Sequence, residues 1–287
     1  MSPKCLNLGC GDRFDPGWTN VDLVPCHPSI LAHDVRQPLP FADSSFDVVY
    51  HSHVLEHLRR DSAPTFLRSC RRVLRPSGVI RVVVPDLENI VREYLRALEG
   101  ALGGNPLMDA QHQWMILELY DQTVREHPGG GFADLARAAF LRNAEFVRKR
   151  WGLQGERLIN LVSEPEPAAS PASTPLQGRP GPWLRRGIEL LSSRSARREF
   201  LLRRLLGPEY RLLQNARFRA SGEIHQWMYD RRSLANLLLE AGFVEPACRH
   251  ADESRIPDWK HYNLDTDPDG RIYKPDSLFM EALNPPR

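Results

Sequence analysis

Cys5-Leu6-Asn7-Leu8 running into Gly9-Cys10-Gly11, with Thr19-Asn20-Val21-Asp22-Leu23 close behind, constrains this chain more than any other stretch. It reads as a strand, a glycine turn, a second strand and an acid at that strand's end. An apolar run that opens on a glycine turn lets backbone approach a bound molecule without a Cβ in the way. A carboxylate at the next strand end can accept both hydroxyls of a ribose. The layout can hold a nucleoside. Two glycines after a strand also mark ordinary turns, so the assignment depends on the segments downstream of Leu23.

Those segments repeat the pattern. Asp34 ends the short apolar segment Ile30 to His33, Pro38-Leu39-Pro40-Phe41 makes a stiff loop, and Phe46-Asp47-Val48-Val49-Tyr50 is the next strand. After His51 to Leu58, Asp61 or Ser62 can cap a helix with Pro64 in its first turn, and Phe66, Leu67, Cys70, Val73 and Leu74 recur at helical spacing. Val79 to Val84 is β-branched and nearly continuous, as a strand covered on both faces requires, and Asp86 caps a further helix. The predicted fold class is α/β, a Rossmann-like doubly wound sheet, mostly parallel.

These residues resemble the class I S-adenosylmethionine-dependent methyltransferases. The motifs that carry the resemblance are Leu6 to Gly11, Gly17 to Asp22, Leu39 to Val49, His53 to His57 and Arg72 to Gly78, and a helix-strand-loop-strand pattern returns over Asp230 to Leu283. The resemblance implies an antiparallel last strand and S-adenosyl-L-methionine as cofactor, lying across the carboxyl ends of the first strands. It places Gly9 and Gly11 beside the amino-acid part, Asp22 on the ribose and Asp34 near the adenine, with Asn7, Leu23, Val35 and His51 completing the cofactor set. Two departures stand out. Asn7 and Arg13 occupy the places of the family's usual acid and third glycine, and Pro16-Gly17 arrives before a full helix could form. The first crossover is therefore expected to be short, which removes a helix dipole from cofactor binding.

With 287 residues and 41% hydrophobic content the chain can bury a sizeable core and still leave room for an insertion. Its net charge of +2 supplies no strong field for nucleic acid. The five cysteines (Cys5, Cys10, Cys26, Cys70, Cys248) show no paired spacing, so neither a disulfide framework nor a zinc site is indicated, and a cytoplasmic protein with reduced thiols is expected. No apolar run approaches the roughly 18 residues of a membrane span.

The expected division is a cofactor-binding core over 1–100, a helical insertion or lid over 101–223 with a flexible loop near 164–182, and the rest of the core over 224–287. In the insertion, Gln113 to Glu126 is predicted helical, with Trp114, Leu117, Tyr120 and Val124 on one stripe and Glu118, Asp121, Gln122 and Arg125 on another. The polar stripe reads as a solvated face or as the lining of an acceptor pocket, for which Glu118, Asp121, Arg125 and Trp227 are the candidates. Phe132 to Trp151 reads as a second helix. Trp183 to Leu206 is basic and amphipathic, a composition suited to a solvated helix or to weak peripheral membrane contact.

Asn284-Pro285-Pro286 imitates an amine-methylation motif but sits at the tail, while His51-Ser52-His53 occupies that motif's place after the fourth strand. DNA is therefore not an expected substrate. Methyl transfer to a hydroxyl needs an aligned nucleophile and a proton acceptor. His225 is the first candidate for that acceptor, followed by His53, Glu56 and His57. The reading is an O-methyltransferase for a small-molecule or saccharide-like acceptor. A nicotinamide oxidoreductase is disfavoured, since the loop lacks a third glycine and Asp22 comes sooner than about 20 residues on. A binding protein that keeps the fold without the chemistry is the other alternative.

Overall fold

The computed structural model describes residues 3–134, 142–163 and 194–286. Seven strands form one sheet: β1 (Cys5–Leu8), β2 (Thr19–Asp22), β3 (Leu31–Ala32), β4 (Phe46–Ser52), β5 (Leu74–Pro85), β6 (Val244–Arg249) and β7 (Ser277–Leu283). Their order is β3-β2-β1-β4-β5-β7-β6. β1 to β5 pair in parallel, and β7 runs antiparallel to both β5 and β6. The strand order reverses at β1 and β4, so a crevice opens at the carboxyl ends of these two strands, where ligands bind in open α/β sheets.

Side chains alternate between the two faces, as the pleat requires. Leu6, Leu8, Val49, Ile80, Val82 and Val84 pack on one face with Phe66, Leu67 and Cys70 of helix α1 (Ala63–Val73) and with Leu234 and Leu238 of the helix Arg231–Glu240. Cys5, Val48, Tyr50, Val79 and Val83 line the other. Residues 9–18 connect β1 to β2 without a helix, as the early Pro16-Gly17 predicts. An aromatic cluster covers this second face: Trp18 meets Tyr262 at 4.9 Å and Tyr50 meets Trp259 at 5.4 Å between ring centroids.

Helix α1 starts with Pro64 in its first turn, but Ser62 gives it no side-chain cap; its hydroxyl donates to Asp61 at 3.0 Å instead. Asp86 does cap α2 (Leu87–Leu102), accepting from the Asn89 N–H, and Asp230 forms a reciprocal capping box with Ser233.

The insertion departs from its expected form in the helix that begins at Asn105. Helix α3 (Pro106–Ile116) passes into a π-helical turn over Leu117–Asp121 and ends at Val124. That wide turn rotates everything after it. Tyr120 and Val124, expected on the packed stripe, are 57% and 59% exposed, while Glu118 and Asp121 are buried. The polar stripe faces inward, not solvent. Trp114, Met115, Phe146, Val147 and Ile159 pack with Ile90 and Ala97 of α2 into a small core that seats the insertion beside the sheet. The second predicted helix is divided: Gly130–Asp134 and Ala144–Ser163 are helical, and 135–141 lie outside the described residues. The loop near 164–182 and the start of the basic segment at Trp183 also lie outside them. Arg194–Leu206 is a helix with Phe200, Leu201 and Leu205 exposed, and no described helix is long and apolar enough to cross a membrane.

Candidate active site

Three clefts open along the carboxyl ends of the parallel strands, and His53 borders all of them. β4 ends at Ser52, and His53, with a positive φ of 54°, turns the chain away from the sheet into a short 3-10 turn over Leu55–His57. Histidine is among the few side chains that tolerate this left-handed conformation. The His53 N–H donates to the Val83 carbonyl at 2.9 Å, which fixes the turn to β5.

The first cleft, of about 200 Å3, lies over β2 and β3 between Gly9, Asp22, Leu23, Asp34, Val35 and Leu58. Gly9 has φ 66°, and a Cβ there would come within 2.3 Å of Val54 Cγ2. Only glycine fits. The Gly11 N–H donates to Asp22 Oδ2 at 2.8 Å and the Val24 N–H to Oδ1 at 2.9 Å, so the carboxylate is held against the glycine turn with its remaining lone pairs open. Asp34 is gripped by the Arg36 guanidinium at 2.7 to 3.0 Å, and that hydrogen bonding lowers its carboxyl below the usual range despite burial.

The second cleft, of about 220 Å3, runs from Asn7, Gly9, Gly11 and Arg13 to Ser52 and Lys274. Asn7 is buried and donates to Asn20 Oδ1 at 3.2 Å, tying β1 to β2 where the family commonly has an acid. Arg13, in place of the usual third glycine, anchors the loop to the C-terminal segment through the Leu264 carbonyl and Asp267, both at 2.9 Å. Lys274 makes no hydrogen bond or ion pair among the described residues, and burial lowers its ammonium pKa, against the pull of Glu56.

The third cleft, of about 300 Å3, lies beneath the insertion and is lined by His57, Glu118, Gln122, Arg125, Trp151, His225 and Asp276 among others. Glu118 accepts from Trp114 Nε1 at 2.6 Å and from Arg150 at 2.8 and 2.9 Å. Asp121 stands behind this wall, accepting from the Gly131 N–H, and lies 3.6 Å from Arg125. Burial, reinforced by Glu118, lifts the Asp276 carboxyl to about 7.

Two candidates fall elsewhere. Trp227 stacks on Arg60 at 4.5 Å and lines a separate cavity with Arg59 and Tyr229. His51 is fully buried against Phe66, lines none of the three clefts, and burial pushes its imidazole down to about 4. The four proposed proton acceptors do converge. His53 Nδ1 is 3.0 Å from Glu56 Oε1, and the His57 and His225 rings meet edge-on at 4.9 Å. Burial alone would raise the Glu56 carboxyl; His53 reverses this and holds it below the usual range. His225 is pushed down to about 3 by burial.

Residues 19–82 match the methyltransferase domain family. A probable S-adenosylmethionine-dependent methyltransferase of Mycobacterium tuberculosis, found in two strains, is 31% identical over 113 residues. This match spans 30% of the present chain and 39% of the relative's length. Over these segments the chain is similar to methyltransferase domains, and it spans less than half the length of the curated relative it matches. Among solved structures, the Burkholderia thailandensis 1,6-didemethyltoxoflavin-N1-methyltransferase with bound 1,6-didemethyltoxoflavin and S-adenosylhomocysteine is 22% identical, with a TM-score of 0.26, over 30% of this chain and 46% of that one.

The Mycobacterium tuberculosis relative is named for dependence on S-adenosylmethionine. The two clefts that meet at Gly9 fit this cofactor: the glycine borders both, an acid ends β2, and the Lys274 ammonium stands at the far end. Lys274 and Asp276 escaped the sequence reading because they flank the last strand, far from every motif. Their only local signal was two charges packed against a proline immediately before an apolar strand.

Proposed function

We propose that this chain transfers the methyl group of S-adenosylmethionine to a hydroxyl of a small-molecule or saccharide-like acceptor. The observation that carries the proposal is the meeting of three clefts at one histidine, His53. In this reading Gly9, Asp22, Leu23, Asp34 and Val35 hold the nucleoside, while Asn7, Gly11 and Lys274 surround the amino-acid end. When bound, the cofactor supplies a sulfonium-activated methyl carbon, and the S–C electron pair returns to sulfur as the acceptor oxygen forms its new bond.

The chain's own residues bind the acceptor and take its proton. The acceptor cleft combines carboxylate and amide side chains (Glu118, Gln122, Gln154, Glu223) with the rings of Trp151 and Phe132, a lining that suits a polyhydroxylated ring. His53 is the better placed base. Its Nδ1 lies 3.0 Å from the Glu56 carboxylate, whose charge favours the imidazolium that forms on taking a proton, against burial, which lowers the imidazole pKa; its Nε2 lies 3.0 Å from Ser277 Oγ. His225 lies in the same cleft, but an imidazole with a pKa of about 3 is a weak proton acceptor at neutral pH. Glu118 and Arg125 touch the acceptor in this reading, with Asp121 and Arg150 positioning them.

The test is incubation with methyl-labelled S-adenosylmethionine and a panel of hydroxylated acceptors, with calorimetry of S-adenosylhomocysteine and NADH. Label in an O-methyl ether and binding of S-adenosylhomocysteine alone are expected; NADH binding, or the absence of any transfer, would overturn the reading. Asp22→Ala should weaken S-adenosylhomocysteine by at least about tenfold, since a hydrogen bond to a charged group is worth roughly 1.5–3 kcal/mol. Because Asp22 also receives the Gly11 and Val24 N–H groups, Asp22→Asn is the cleaner control. It keeps one acceptor oxygen, and affinity should fall between that of the wild type and Asp22→Ala.

A further inference from the structure

We propose that Glu56, His57 and His225 form a binding site for one divalent transition-metal ion at the floor of the acceptor cleft. One donor atom from each residue lies within 4.8 Å of the other two. Tetrahedral donors about 2.1 Å from a shared ion lie about 3.4 Å apart, so closing the site takes side-chain rotations that bring a pair together by up to about 1.4 Å. Two imidazoles and a carboxylate form a donor set that suits zinc, manganese or iron(II) rather than the all-oxygen shells of magnesium and calcium.

Independent observations point to a cation here. Glu56 is fully buried, yet neither carboxylate oxygen accepts a hydrogen bond among the described residues. His53 approaches Oε1 to 3.0 Å, but the contact is not aligned as a hydrogen bond. Buried carboxylates are normally paired or bind metal, because an uncompensated charge there costs several kcal/mol. His225 is 8% exposed, and its Nδ1 is likewise unpartnered among the described residues.

The supporting shell is also in place. His57 Nδ1 lies 3.1 Å from the Ile224 carbonyl, which fixes the proton on Nδ1 and leaves the Nε2 lone pair free, the arrangement usual for a metal-bound imidazole. The Gln226 and Trp227 N–H groups donate to the Glu56 carbonyl at 2.6 and 3.2 Å, and the His225 N–H donates to the Gln122 carbonyl at 2.8 Å. The ligand strand returning from the insertion is thus clamped to the turn that carries the other two ligands. His57 and His225 both line the acceptor cleft, so the ion's remaining coordination positions face the place where an acceptor oxygen would sit. That catalytic role rests on the methyl-transfer reading; the metal site itself does not.

The test uses chelator-treated full-length protein titrated with Zn2+ and Mn2+ by calorimetry, with bound metal counted after dialysis. One equivalent is expected, with affinity at least tenfold weaker in each of Glu56→Gln, His57→Asn and His225→Asn. The variants' S-adenosylhomocysteine affinity reports whether each is folded. His261→Asn, on an exposed side chain, should leave the stoichiometry unchanged. Binding of no metal by protein that binds S-adenosylhomocysteine, or undiminished binding in all three ligand variants, would overturn the site. Metal uptake is read without turnover. Absence of methyl transfer with metal bound would therefore count against the proposed reaction, and transfer by metal-free protein against a role for the metal.

Discussion

Arg81→Met is expected to destabilise the fold by about 3–5 kcal/mol, a large share of the roughly 5–15 kcal/mol by which a typical protein exceeds its unfolded state. Arg81 lies in the middle of β5, fully buried, in direct register with Tyr50 on β4 and Glu281 on β7. Its guanidinium donates to Asp265 at 2.8 Å, to Glu281 at 2.9 Å and to the carbonyls of Glu253, His250 and Ala251 at 2.8 to 3.2 Å, and it lies 4.5 Å from the Trp259 ring centroid. Methionine fills the volume and supplies none of these donors. Glu281 would keep Ser254, Arg249 and the Arg255 N–H, but Asp265 would keep the Tyr50 hydroxyl and lose its countercharge.

The pH dependence gives the deficit a signature. Burial already raises the Asp265 carboxyl above its ordinary value, outweighing Arg81 and Tyr50, and loss of Arg81 raises it further. An acid whose folded pKa is raised binds more protons folded than unfolded, so the variant gains stability as pH falls through that raised value. Urea unfolding at pH 7 and pH 5 checks both claims: the difference from wild type should shrink at the lower pH. A loss under about 1 kcal/mol at pH 7 would show that the buried charge is dispensable.

The same residue shows where sequence reasoning reaches its limit. Val79 to Val84 announces a strand covered on both faces, and the apolar run is sufficient for that. It gives no partner for the arginine inside it, because Asp265 and Glu281 arrive from loops and strands nearly two hundred residues later. The glycine turn, the acid at the end of β2 and the short first crossover were legible because each is local chemistry: a left-handed φ that glycine adopts most readily, a carboxylate at a strand end, and a proline too early for a helix. The burial of Glu118 and Asp121 was hidden because one π-helical turn after Ile116 shifts the helical period, and no residue type there signals it. The Glu56, His57 and His225 cluster was hidden for a different reason. Its ligands carry no spacing code, since the third returns only after the whole insertion.

His53→Asn is expected to lower kcat by about a hundredfold or more while leaving S-adenosylhomocysteine affinity and acceptor KM within about threefold, because loss of a positioned base typically costs 10²–10⁴ in rate. Asparagine is the substitution of choice. It tolerates the positive φ of 54° that His53 adopts, so the turn from β4 into the Leu55–His57 segment is kept, and the N–H bond to the Val83 carbonyl does not depend on the side chain. What it removes is a ring nitrogen able to take a proton in the transition state. The split between kcat and binding separates chemistry from architecture, since His53 also borders both cofactor clefts. A histidine that merely walled those clefts would, on removal, weaken S-adenosylhomocysteine and leave turnover of saturated enzyme intact. That outcome would rule out His53 as the base and return the assignment to His225, Glu56 and His57.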